Sequence, residues 1–151
     1  DNFFEEVTKF AQECIEQNLP TVKCQAAYLM LWTALERIAA LKYSISASPM
    51  EAIENFGFDP SFVKAIKEFL SEGNGFQNLR QIYSTKTPSD KTKPSTDNHS
   101  KTVKYLYQVR SNITHRGKAG YSSDQALLHD CIRITLGALQ NLLDTIEEVS
   151  G

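Results

Sequence analysis

The 151-residue chain is predicted to be all-α, an antiparallel helical bundle of about five or six helices. Apolar residues recur at spacings of three and four along most of the chain, and Pro and Gly divide it into helix-length segments. No alternating strand pattern or Asn-Gly hairpin signal is present. Because 41% of the residues are hydrophobic and 23% charged, one domain spanning residues 1–151 with a real core is expected.

The first two helices are predicted on either side of a break at residues 18–20. The first is amphipathic, with Phe3 and Phe10 on its apolar stripe. The second, from about residue 21 to 42, is apolar nearly all round, which is typical of a central helix contacted on several sides. Glu36 lies on one of its apolar faces, so it either pairs with a buried cation or marks a solvent-exposed edge.

Two shorter helices are marked by a capping residue followed by proline. Residues 48–51 start a short helix that ends before Gly57, and residues 59–60 start an amphipathic helix that stops at residues 73–75. Residues 76–83 fit one or two further helical turns.

The segment from Thr85 to Ser100, TKTPSDKTKPSTDNHS, contains no hydrophobic residue. Since it buries too little apolar surface to order itself, we predict a mobile polar loop inside the domain. Such a loop either folds over a bound strand or is a tolerated insertion.

A long helix is predicted to close the chain, capped by Ser122 or Ser123 and running to about Val149. Its broad apolar band either covers the core of this domain or leaves surface for a partner. Because the chain begins at Asp1 and not at methionine, it is expected to be a trimmed chain or a domain cut from a longer protein.

The stretch 101–118, KTVKYLYQVRSNITHRGK, carries the residues best suited to chemistry. Arg110 falls on the apolar face of this predicted helix, where a guanidinium needs a carboxylate, a phosphate or an opening to water. Glu36 is the carboxylate expected to pair with it, directly or through water. His115 follows close to Gly117, the expected helix end, and histidine exchanges a proton near neutral pH. Together the two side chains suit phosphate binding with proton transfer.

The run from Arg110 to His115 resembles the R-x4-6-H motif of HEPN domains, small α-helical modules common in prokaryotic defence and toxin systems. The tyrosine-rich helix before the arginine, the turn at residues 115–118, the earlier run at residues 31–36 and the long closing helix are similar to the Apea-like branch. The resemblance covers roughly residues 22–146.

The resemblance implies a homodimeric, metal-independent endoribonuclease in which two Arg110/His115 pairs form one site. Arg110 would grip the scissile phosphate, and His115 would be the general base or the general acid. It also implies an antitoxin or a sensor domain as a partner, and no cofactor. Neighbouring phosphates would be held by Lys101, Lys104, Arg116 and Lys118.

The chain departs from the catalytic pattern directly after the arginine. Catalytic members usually place Asn, Asp or His there, whereas this chain has Ser111 at that position and Asn112 one place later. Both are supporting candidates, together with Glu36. The departure keeps a non-catalytic HEPN-like module open, one that binds RNA, nucleotide or a protein partner within a larger sensor. A plain helical interaction domain, in which the motif is coincidence, is the third reading.

The charge distribution favours an anion-binding surface on an acidic body. Between Lys86 and Lys118 lie eight basic residues against two acidic ones, a local balance of +6, whereas the remainder of the chain has a balance of −8. The alternative is a solvated, lysine-bearing loop beside a helix.

The chain lacks the sequence signals of zinc-binding, nucleotide-binding and membrane-spanning proteins. The three cysteines, Cys14, Cys24 and Cys131, are widely spaced without a CxxC, which favours buried free thiols in a reducing cytoplasm over zinc ligands. His99 and His129 complete no metal set, and no phosphate-binding glycine motif is present. No apolar run approaches the ~20 residues of a membrane span, so no metal, cofactor or membrane is expected.

Overall fold

The computed structural model describes residues 2–44, 49–73, 75–116 and 124–150, and these residues form six α-helices and one two-stranded sheet. The helices are α1 (Asn2–Glu16), α2 (Thr21–Tyr43), α3 (Pro49–Phe56), α4 (Pro60–Ser71), α5 (His99–Arg116) and α6 (Asp124–Ser150). The strands β1 (Ile82–Tyr83) and β2 (Lys91–Thr92) pair antiparallel. The predicted all-α helical bundle is confirmed.

Local capping signals set the helix starts that can be followed in detail. Asp59 caps α4, since its Oδ1 accepts a hydrogen bond from the Ser61 amide at 2.8 Å and Pro60 occupies the first helical position. Asn98 caps α5, because its Oδ1 accepts a hydrogen bond from the Lys101 amide at 3.1 Å. Five predicted cap or stop residues lie outside the described residues: Ser48, Asn74, Gly117, Ser122 and Ser123.

α2 is the central helix and packs against α1, α3, α5 and α6. Its buried positions cover one broad side of the helix, and the opposite side is exposed although the sequence is apolar nearly all round, with Val22 and Leu41 at 76% and 70% exposure. Trp32 is fully buried at its middle, with ring centroids 6.5 Å from Phe56 of α3 and 5.3 Å from Tyr107 of α5. α2 therefore positions the helix that carries the predicted site.

α1 runs antiparallel to α2. At the start of α1, the Phe3 ring centroid lies 4.4 Å from the guanidinium carbon of Arg37, far along α2. Near the end of α1, the Cys14 thiol donates to the carbonyl of Lys23, close to the start of α2, at 3.8 Å. The break at residues 18–20 thus reverses the chain, as predicted.

α6 runs in the same direction as α2, with its first turns beside the start of α2. Gln125 ties α6 to the turn before α2, because its Nε2 donates to the carbonyl of Leu19 at 2.9 Å and its Oε1 accepts from Thr21 Oγ1 at 3.1 Å. One turn further on, His129 Nε2 lies 3.5 Å from the Cys24 sulfur, and burial lowers the pKa of His129. The three cysteines are buried free thiols, as predicted.

The segment between α4 and β1 differs from prediction. Residues 76–79 form a turn and Ile82 and Tyr83 form a strand, where further helical turns were expected. Tertiary hydrogen bonds explain the difference, because the carbonyl of Tyr83 accepts from the side chain of Asn112 in α5 at 2.7 Å and the carbonyl of Arg80 accepts from Tyr105 Oη at 2.6 Å. These carbonyls bond to α5 and not along a helix.

The polar segment predicted as a loop over residues 85–100 contributes the second strand and the start of α5. The Ser84 amide donates to the Asp90 carbonyl at 2.9 Å, which closes the hairpin between the two strands. Because Asn98 caps α5, this helix begins within the predicted loop. The pairing involves two residues per strand, too few for the alternating pattern on which strand prediction depends.

The approach of α3 to the start of α5 predicts the effect of a small substitution. An added Cβ at Gly57 would lie 2.9 Å from the Cα of Ser100, so Gly57→Ala must push the backbone of α5 away from α3. We expect a loss of about 1–3 kcal/mol in the free energy of unfolding, measured by urea denaturation. Gly137→Ala is the matched control: its added Cβ would meet the Cβ of Ala65 at 3.5 Å, an ordinary contact, so stability should be retained or rise. Equal stability of the two variants would contradict this packing.

Candidate functional site

The outer face of α5 is the row formed by Lys101, Lys104, Gln108, Ser111 and His115. Spacings of three and four residues place these side chains along one side of the helix. Lys101, Lys104 and His115 are exposed, and the two polar residues between them are partly exposed. The structure therefore aligns two predicted phosphate-binding lysines with the predicted catalytic histidine and with the serine after the arginine.

Arg110 lies on the side of α5 next to α2, away from the outer face. Its guanidinium carbon is 5.4 Å from the ring centroid of Tyr107, and that ring meets the indole of Trp32 edge-on at 5.3 Å. A guanidinium over an aromatic face is stabilised by the ring's negative quadrupole. Arg110 is thus held beside the Tyr107 ring, which packs on α2, and is still partly open to solvent.

Glu36 of α2 lies near Arg110. Burial raises the pKa of the Glu36 carboxyl, while the Arg110 guanidinium acts in the opposite direction by favouring the carboxylate. No ion pair within 4.0 Å joins these two described residues, and Glu36 Oε1 is buried without a hydrogen-bond partner. The predicted pair is therefore coupled electrostatically without direct contact, and Glu36 does not occupy the N–H groups of Arg110.

Arg110 and His115 project from different sides of α5. Five residues of α-helix turn a side-chain direction by about 140° after one full turn and advance it by about 7.5 Å. In one copy of the chain, Arg110 is directed towards α2 and His115 towards solvent. A single site that uses both groups on one phosphate is better built from two copies, which is the arrangement that the resemblance implies.

Asn112 lies beside the outer face, four residues after Gln108, and is buried, with 3% exposure. Its Oδ1 accepts hydrogen bonds from the Thr85 amide at 3.1 Å and from Gln108 Nε2 at 2.8 Å, and its Nδ2 donates to the Tyr83 carbonyl at 2.7 Å. Asn112 therefore fixes the β1–β2 hairpin beside α5. The sequence placed Asn112 among the residues that support His115. In the structure its side chain is bonded to the backbone of Tyr83 and Thr85.

Three lysines that the sequence assigned only to a basic loop are exposed around this hairpin: Lys86, Lys91 and Lys93. The Asn112 contacts bring the hairpin next to the outer face of α5. The sequence did not predict this position of the hairpin, because an asparagine that bonds to a distant backbone segment has the same neighbours in sequence as an exposed one. The side chain of Arg116 and all of Lys118 lie outside the described residues.

Within the described parts of the chain, no group of three or more His, Cys, Asp or Glu side chains is arranged to hold a metal ion. None of the helices described above combines the length and the apolar character needed to cross a bilayer.

No family model matches the chain, and no match was found among the curated proteins or the solved structures.

Proposed function

We propose that this chain is the subunit of a homodimeric, metal-independent endoribonuclease of HEPN type. The observation that carries the proposal is α5, where His115 is aligned with two exposed lysines on the outer face and Arg110 projects from the side next to α2. Phosphate contacts from lysine and arginine position a nucleic acid, and a histidine beside them moves protons. As the motif resemblance implies, we place the enzyme in a cytoplasmic prokaryotic defence or toxin–antitoxin system.

The proposed reaction uses the 2′-hydroxyl of RNA as the nucleophile. One imidazole accepts the 2′-hydroxyl proton, the 2′-oxygen bonds to the adjacent phosphorus, and the bond from phosphorus to the 5′-oxygen breaks. A second imidazole gives a proton to the departing 5′-oxygen, so the products are a 2′,3′-cyclic phosphate and a 5′-hydroxyl. His115 of two copies supplies the base and the acid, and Arg110 stabilises the negative charge that develops on the phosphate oxygens.

The direct test is cleavage of a single-stranded RNA by the purified full chain in the presence of EDTA. We expect 2′,3′-cyclic phosphate ends, identified by mass spectrometry, and no cleavage of DNA of the same sequence, since DNA lacks the nucleophile. A well-folded dimer that leaves RNA intact with and without divalent cations would show that the isolated chain is not a nuclease.

A non-catalytic RNA-binding module is the second candidate function. Two observations favour it: Ser111 stands where catalytic HEPN members usually carry Asn, Asp or His, and the amide of Asn112 is engaged with the hairpin. This candidate predicts RNA binding that weakens steeply with salt, without cleavage. Docking of a protein partner on the apolar band of α6 would instead depend little on salt.

A further inference from the structure

The β1–β2 hairpin presents an aromatic ring beside a lysine. Ile82 of β1 points into the core and Tyr83 points outward, with 37% of Tyr83 exposed. Tyr83 pairs in register with Lys91 across the two strands, and the Lys91 Nζ lies 5.5 Å from the tyrosine ring centroid. An outward ring next to an ammonium is the combination by which proteins stack an unpaired base and bind its phosphate.

Hydrogen bonds hold this ring in a defined place. The Tyr83 carbonyl and the Thr85 amide, on either side of Ser84, both bond to the amide group of Asn112. Ser84 itself is buried and closes the hairpin through its amide. Because the backbone around Tyr83 is already ordered, stacking a base on its ring costs less conformational entropy than it would on a mobile loop.

The hairpin adjoins the outer face of α5. Gln108 Nε2 donates to Asn112 Oδ1 at 2.8 Å, and Gln108 lies four residues after Lys104 and seven before His115 in the row. The exposed lysines around the hairpin extend this positive surface, with Asp90 and Asp97 the acidic residues of the same segment. A strand that contacts the outer face can therefore reach Tyr83 without leaving the positive surface.

We propose that the hairpin is a second binding element for single-stranded RNA, in which Tyr83 stacks on an unpaired base and Lys91 binds a neighbouring phosphate. The inference rests on the proposed function in so far as RNA is the ligand. It commits to a single strand because the bases of a duplex are stacked on one another and offer no free face to a side chain.

Binding is best measured with a fluorescent 2′-O-methyl oligouridylate of about 16 nucleotides, which lacks the nucleophile and cannot be cleaved. Tyr83→Ala and Tyr83→Leu should raise the Kd about 5- to 30-fold, the lower part of the range for one stacked base because the ring is only partly exposed. Tyr83→Phe keeps the ring and should stay within about twofold of the parent chain. Thermal unfolding shows which variants are folded. If Tyr83→Ala is unstable, the comparison of Tyr83→Leu with Tyr83→Phe tests the proposal in its place.

Lys91→Ala provides an independent measurement. Loss of one phosphate contact should reduce the slope of log Kd against log salt concentration by about 0.7, the value for a single strand. Lys67→Ala, on the exposed side of α4, removes an exposed lysine elsewhere on the molecule and should leave the slope unchanged.

The failure of this inference can be distinguished from the failure of the nuclease proposal. If Tyr83→Leu binds the strand as tightly as the parent chain, or weakens binding of duplex RNA of the same length equally, the ring does not stack on an unpaired base. That result overturns the hairpin proposal, whether or not unmodified RNA is still cleaved. If the parent chain binds no RNA, both proposals are wrong.

Discussion

Replacing His115 or Arg110 by alanine is expected to lower the rate of RNA cleavage by a factor of about 10² to 10⁴. His115→Ala removes the group that moves protons, and Arg110→Ala removes the cation that stabilises charge on the phosphate. His115 is exposed and Arg110 is partly exposed, so both variants should fold like the parent chain. Initial rates on a labelled single-stranded RNA, with circular dichroism as the fold check, measure the effect.

His99→Ala is the matched histidine control, because His99 lies 16 residues before His115 on the same helix, about 24 Å away along its axis. Its cleavage rate should remain close to that of the parent chain. If His115→Ala cleaves as fast as this control, the assigned general acid–base role is wrong.

The dimeric site predicts the result of mixing parent and variant chains. When equal amounts of parent and His115→Ala chains are unfolded, mixed and refolded together, about a quarter of the dimers contain two parent chains and about half contain one chain of each kind. Because the proposed reaction uses His115 of both copies, a mixed dimer should be inactive, and the rate should fall to about a quarter of that of parent chain refolded at the same total concentration. A fall to about half would show that each copy acts alone and would argue against a site shared between copies.

Replacing Asp59 by alanine is expected to cause the largest loss of stability among polar substitutions, about 2–4 kcal/mol at neutral pH. Asp59 is 5% exposed, and three groups donate to it: Lys42 Nζ at 2.7 Å, the Tyr43 hydroxyl and the Ser61 amide at 2.8 Å. It therefore joins the end of α2 to the start of α4 and caps α4. For a chain of this size, the change corresponds to a fall in Tm of roughly 5–15 °C.

The same carboxyl predicts how stability depends on pH. Burial raises the pKa of Asp59, but hydrogen bonds from Lys42, Tyr43 and the Ser61 amide outweigh it and hold the pKa below 3.8. Because the folded pKa lies below the unfolded one, the contribution is fully present above pH ~5. It is lost as the pH falls through the lowered pKa of the folded state.

Asp59→Asn is the control for the charge, since asparagine can still cap α4 but does not titrate. Its stability difference from the parent chain, measured by urea denaturation, should shrink as the pH is lowered below 3.8. A difference that stays constant over this range would show that the charge of Asp59 contributes nothing to stability.

The helices could be predicted from the sequence because each of them depends on local signals. The break at residues 18–20, the cap at Asp59 and the apolar periodicities specify their own neighbourhoods, and the helices lie where these signals place them. The hairpin was not readable, because its backbone hydrogen bonds go to side chains of α5 that lie 25 or more residues away in the sequence. Contacts of that range leave no local pattern.

The candidate site divides in the same way. The sequence predicted Lys104, Ser111 and His115 as site residues and Glu36 as the partner of Arg110, and helical periodicity explains why the first three share one side of α5. Periodicity did not reveal that Arg110 rests on Tyr107, or that Glu36 stops short of direct contact. Those details depend on how closely α5 approaches α2, which large buried rings such as Trp32 decide.

The anchoring of α6 through Gln125 has a consequence for how the chain tolerates change. Because Gln125 is bonded to the carbonyl of Leu19 and to Thr21, it fixes the first turn of α6 to the turn before α2. Exchange of Gln125 for a residue without an amide should therefore loosen the starts of both helices at once, since the Leu19 carbonyl and the Thr21 hydroxyl lose this partner together.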